Sequence, residues 1–130
     1  MYSVKRAGNK YRAVKCDFNG RRFDSKHEAS VAMWLEAEKQ QGLIKGYDCQ
    51  FRVEMVAYDR HGKPVMRKNH RVDFRAHNND GTFSLIEAKG FDTDDWKERR
   101  RWLEALWLPE NPDHDYTVIY NRSNKFAKGK

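Results

Sequence analysis

Four residues have side chains whose types and spacing could do chemistry together: Glu28, Asp73, Glu87 and Lys89. Glu87 and Lys89 flank Ala88, and residues two apart on a strand project to one face, which sets a carboxylate beside an ammonium. Asp73 falls in the preceding strand-like segment, across a turn. A hard divalent cation takes oxygen ligands, so two carboxylates from adjacent strands, with the carbonyl of Ala88 and water, would hold one without a dedicated cage. Such a cation polarises a phosphoryl oxygen and lowers the pKa of bound water, while Lys89 helps place the nucleophile or neutralises developing charge. That is the chemistry of phosphodiester hydrolysis. Each residue also has a structural explanation. Glu-Ala-Lys is a common tripeptide that serves as a solvated strand face or an ion pair, Glu28 suits the N3 position of a capping box, and Asp73 could partner Arg71 or Arg75. The run Phe83 to Ala88 weighs against these readings, because it is largely apolar on both faces. That marks a central strand, where charge at the end is costly.

The elements that would position these residues can be read from pattern. Ser25 precedes Glu28 at capping-box spacing, which predicts a helix running to about Gln41, with a broad buried face around Ala29, Val31, Ala32, Met33, Trp34, Leu35 and Ala37 and a stop at Gly42. Phe51, Val53, Met55 and Ala57 alternate with polar residues, and Asp59 to Pro64 turns the chain. His70, Val72, Phe74 and Ala76 alternate with Arg71, Asp73 and Arg75, then Asn78-Asn79-Asp80-Gly81 leads into Thr82 to Lys89, a hairpin signature. Thr93 caps a second helix with Asp94 and Asp95 in its first turn, ending before Pro109, and Tyr116 to Tyr120 reads as a final strand. The order helix, three strands, helix, strand is that of an α/β fold with a mixed central β-sheet flanked by helices.

An acidic residue on a helix, then Val72-Asp73-Phe74, a turn, and Ile86-Glu87-Ala88-Lys89-Gly90 resembles the PD-(D/E)XK, or restriction-endonuclease-like, nuclease superfamily over about residues 21 to 120. Phe23-Asp24-Ser25-Lys26-His27-Glu28-Ala29 and Lys89-Gly90-Phe91 are similar to segments of small phage-encoded nucleases, among them Holliday-junction resolvases of the endonuclease I type. Val72 stands where the superfamily's name has proline, a residue that is not a ligand. The resemblance implies a restriction-endonuclease-like core, metal binding by Asp73 and Glu87, a catalytic role for Lys89, and a metal-positioning or second-metal role for Glu28. It also implies DNA cleavage supported by magnesium or manganese, with branched DNA as substrate and a homodimer to match a junction's symmetry.

Charge and composition fit that expectation. The chain of 130 residues has room for one domain, and its aromatic residues fall in periodic runs despite a mean hydropathy of -1.04. The net charge of +7 is concentrated at the ends, with +6 over residues 1–23, +4 over 121–130 and −3 between them. This reads as a basic arm over 1–22, a nuclease-like domain over 23–120 and a basic tail over 121–130, with DNA as the partner. Phosphate contacts are expected from Arg12, Arg21 and Arg22 in the arm and from Lys97, Arg99, Arg100 and Arg101 on the second helix, opposite its core-facing Trp96, Leu103, Leu106 and Trp107. Nothing resembles a base-reading module, so shape and phosphate would govern binding. The longest apolar run, Val31 to Leu35, is far short of a membrane span, no signal-peptide pattern opens the chain, and Cys16 and Cys49 suggest neither a disulfide framework nor a zinc site. A cytoplasmic protein is expected. Three alternatives have some basis: a non-catalytic DNA-binding or recombination accessory protein with salt-bridged carboxylates, a monomeric nuclease acting on linear ends or nicks, and an HNH-type nuclease built on Asn69-His70 and His77-Asn78-Asn79. The last is weak, since alternation puts His70 on the apolar face with Val72 and Phe74.

Overall fold

A computed structural model describes residues 16–18, 21–23 and 25–121, with side chains for Phe23 and for 25–121. Two three-residue strands, β1 (Cys16–Phe18) and β2 (Arg21–Phe23), pair antiparallel and deliver Phe23 to the core. Helix α1 (Lys26–Gln40) starts where the sequence supplies a cap. Ser25 is extended, and its hydroxyl accepts the N–H of Glu28 at 3.1 Å. The chain then forms β3 (Ile44–Tyr58), β4 (Pro64–Asn78) and β5 (Phe83–Lys89), a second helix α2 (Asp94–Trp102), and β6 (His114–Tyr120).

The large strands form one sheet in the order β3-β4-β5-β6, antiparallel except for the parallel β5–β6 pair. The result is a mixed α/β fold with a four-stranded mixed sheet. Parallel neighbours require a crossover, and α2 lies within the connection from β5 to β6. As the apolar run of β5 demands, this strand lies between two others, and Leu85, Ile86 and Glu87 are buried.

Several bounds differ from the sequence pattern. β3 begins at Ile44 rather than Phe51 and β4 at Pro64 rather than His70, so the two make a hairpin of 15-residue strands. Its turn is held by the carboxylate of Asp59, which accepts the N–H groups of His61 and Lys63, and by Gly62 at φ 81. Pairing with a neighbour makes strands of these polar ends, which carry no alternation of their own. After α2 the helix loosens into a π segment, Leu103–Trp107, and a 3-10 turn, Leu108–Glu110, where Pro109 lacks the N–H needed to continue. β1 and β2 fall in the stretch read as a basic arm; Arg12 and residues 122–130 lie outside the described residues, as do the side chains of Arg21 and Arg22. No helix among the described residues is long and apolar enough to cross a membrane.

Two apolar clusters hold the sheet. One joins Ala29, Val31, Ala32 and Leu35 of α1 to Phe23, Ile44, Phe74, Ala76 and Ile86. The other joins Val53, Met55, Val72 and Leu85 to Leu103 of the π segment. Phe74 and Val72 are two apart on β4 yet enter different clusters, so the hairpin changes its packing partner at the residue between them, Asp73.

Candidate active site

The change of partner coincides with a break in strand pairing. The β3–β4 register pairs Cys49 with Phe74 and Phe51 with Val72, skipping Gln50 and Asp73, and the β4–β5 pairing runs only from His77–Phe83 to Phe74–Ile86. One further step would set Asp73 against Glu87. Instead the carboxylate of Asp73 replaces the backbone ladder, its Oδ2 accepting the N–H of Ala88 at 2.8 Å. Gln50 takes a left-handed backbone, φ 60, which costs a residue other than glycine roughly 1–3 kcal/mol unless its surroundings hold it there. One contact that holds it is its side chain, whose Nε2 donates to Glu28 Oε2 at 3.0 Å.

The structure thus brings together carboxylates from three elements: Glu28 from α1, Asp73 from β4 and Glu87 from β5. Glu28 and Glu87 are 5% and 2% exposed. Burial, then the charges of Glu28 and Glu87, hold the Asp73 carboxyl well above the usual aspartate range, against the opposing pull of the Ala88 N–H and Lys89. Glu87 Oε2 is engaged by His70 Nε2 and, at 3.3 Å, by the Tyr116 hydroxyl, which donates to it. Burial and then Glu87 push the Tyr116 phenol upward, so it remains a donor. Lys89 is half-buried, with its Nζ 4.9 Å from the centre of the Trp96 ring; Arg100 lies 5.6 Å from the same ring.

All four residues singled out for chemistry therefore act on one locality, and the internal partners suggested for Asp73 lie elsewhere. Arg75 bonds Asp48 at 3.0 Å, sharing that carboxylate with His77 at 2.9 Å. Burial raises the Asp48 pKa, but His77 and Arg75 outweigh it and leave it below the usual range. The amide of Ala88, whose carbonyl was expected to serve a metal, serves Asp73. Of the cations expected to meet DNA on α2, Arg99 bonds Asp95 and the carbonyl of Asn69, and Arg100 bonds Glu104. Lys97 and Arg101 are exposed and carry no ion pair among the described residues. Three residues of the site were not singled out for it from the sequence: Gln50, His70 and Tyr116. Alternation placed His70 inward but could not name the carboxylate it meets, and no spacing rule connects Gln50 or Tyr116 to the others.

The donor set suits a hard divalent cation. Three carboxylates in one place repel one another, and a cation is the charge that would let Asp73 ionise. Among the described residues, no three His, Cys, Asp or Glu side chains stand at ready-made metal-binding distances. Magnesium needs no such cage, since it is commonly held through one or two carboxylates, waters and substrate phosphates. Asp73 and Glu87 would hold it, with Glu28 near.

A family model matches residues 8–121 and carries the description "Protein of unknown function (DUF1064)". The chain belongs to the DUF1064 family. The match covers every element described, from β1 to β6, so the acidic cluster lies within the family's own boundaries. Searches of curated proteins and of solved structures found no match to this DUF1064 chain.

Proposed function

We propose that this DUF1064 protein is a metal-dependent DNA endonuclease that hydrolyses phosphodiester bonds and selects branched DNA, with the restriction-endonuclease-like core that its motifs resemble. The observation that carries the reading is the state of Asp73: a half-buried carboxyl beside two buried ones, Glu28 and Glu87, one strand over from a lysine, at the point where the strands part. Burial of like charges is costly and serves no packing purpose here, since Leu, Val or Phe would fill the same space. When bound, magnesium or manganese supplies Lewis-acid polarisation of the phosphoryl oxygen and a water of lowered pKa. The chain's own groups do the rest. Asp73 and Glu87 hold the cation, Glu28 adds negative charge beside it, and His70 and Tyr116 fix the rotamer of Glu87 by bonding one of its oxygens. Lys89 supplies positive charge next to the reacting phosphate. The basic ends attract the polyanion, and a homodimer would offer two such clusters to the two strands of a four-way junction.

The testing experiment incubates the protein with a four-way junction and with linear duplex of equal length, in magnesium, manganese, calcium or EDTA. Magnesium and manganese support cutting, preferentially of the junction. Calcium permits binding with little cutting, because its longer and looser coordination misplaces the nucleophile, and EDTA stops the reaction. Full activity in EDTA contradicts the reading. Equal competition by linear duplex, or a monomeric active species, removes only the junction preference. The pairing of Glu87 with His70 and Tyr116 favours a second reading, a DNA-binding accessory protein whose carboxylates are structural. It predicts binding of DNA without cutting in any metal.

A further inference from the structure

The β3–β4 hairpin carries a feature that folding does not explain. Arg52 and Arg71 are register partners, directly opposite each other, and both are exposed. Like charges facing each other across strands destabilise a hairpin. Neither arginine forms an ion pair among the described residues. The acid on the same face, Glu54, lies 3.4 Å from Arg67 instead, and the neighbouring Arg75 is committed to Asp48. Two guanidinium groups are therefore presented to solvent side by side. The arrangement has a definite place: a single residue pair, Phe51–Val72, separates Arg52–Arg71 from the skipped Gln50–Asp73 position. Along β4, Arg71 lies two residues, about 6–7 Å, from Asp73.

From this we infer that Arg52 and Arg71 form a phosphate clamp for the DNA strand entering the acidic site. The identity of the polyanion rests on the nuclease reading; the clamp itself rests on charge. A carboxylate cluster repels a phosphodiester, so a substrate strand needs cationic contacts close by, and guanidinium binds phosphate through a planar fork of donors. At a rise of 3.4 Å per nucleotide along a strand, the pair meets the backbone about two nucleotides from the reacting phosphate. This places the contact on the hairpin, while Arg99 and Arg100 of α2 remain tied to internal partners.

The test measures binding of a labelled 30-base-pair DNA duplex by fluorescence anisotropy in EDTA, across a salt series, for the full chain, for R52Q/R71Q and for R52K/R71K. Working in EDTA separates binding from cleavage. The glutamine variant should bind about tenfold or more weakly at 0.1 M salt, with the slope of log K against log salt reduced by up to about 1.8, while the lysine variant keeps its slope. The thermal midpoint of R52Q/R71Q should hold or rise, because that change removes a repulsion. Unchanged affinity and slope in R52Q/R71Q, with DNA still bound by the full chain, overturns the clamp and leaves the nuclease reading standing. Tighter binding of duplex RNA than of duplex DNA overturns the choice of DNA strand. No binding of DNA by the full chain overturns both.

Discussion

Asp73 is where the chemistry of this site is most exposed to measurement. Its carboxyl is raised by burial first and by Glu28 and Glu87 next. A group whose folded pKa exceeds its unfolded value adds stability below the unfolded value, about 3.9 for aspartate, and loses it as pH rises through the folded one. In EDTA, wild type should therefore lose stability relative to Asp73→Asn as pH rises from about 4, by about 1.4 kcal/mol in all for each unit of difference between the two pKa values. Asparagine keeps an oxygen for the Ala88 N–H and carries no charge. Adding magnesium at pH 8 should raise the melting temperature of wild type and not of the variant, as a ligand that binds only the folded state must. Parallel melting curves for the two proteins across this pH range would show that Asp73 is an ordinary surface carboxylate. At this scale the sequence was informative about Glu28, Asp73, Glu87 and Lys89, because strand spacing and a capping position single them out. It was silent on His70, Gln50 and Tyr116 as their partners. Those contacts span 17, 22 and 29 positions, and only the folded sheet creates them.

The elements themselves were legible where local chemistry decides them. Ser25 and Thr93 cap the helices as their spacing predicts, each accepting an N–H three residues on at 3.1 Å, and the turn at Asn78 to Gly81 joins two strands as read. The half of β3 from Ile44 to Gln50 was not legible. Gly46 and Asp48 are poor strand formers that are extended because β4 pairs with them, while Lys45 and Gln50 sit where that pairing skips a residue. The π segment was likewise hidden, since a helical pattern in sequence does not distinguish a π turn from an α turn. That segment places Leu103, wholly buried, against Val53, Met55, Val72 and Leu85, which steadies the hairpin on the far side of Asp73. Leu103→Ala should cost roughly 2–5 kcal/mol of stability by leaving a cavity there. Chemical denaturation measures it. A cost under 0.5 kcal/mol would mean that the second cluster does not hold the hairpin.

Across the whole molecule, charge and fold divide the work. The surplus of +7 is carried by the two ends, while the body between them is slightly negative and contains the acidic cluster in the break between β4 and β5. Under the proposed function, the basic ends gather DNA and the carboxylates hold the cation that cuts it. The most direct measurement of this claim compares cutting of a four-way junction in magnesium by wild type, Glu87→Ala and Lys89→Ala, with circular dichroism and DNA binding in calcium recorded for each protein. Wild type should cut, and both variants should fold, bind DNA near normally and cut at least about 100-fold more slowly, the order of loss expected when a group that stabilises transition-state charge is removed. Cutting by either variant at close to the wild-type rate would contradict the assignment of this site.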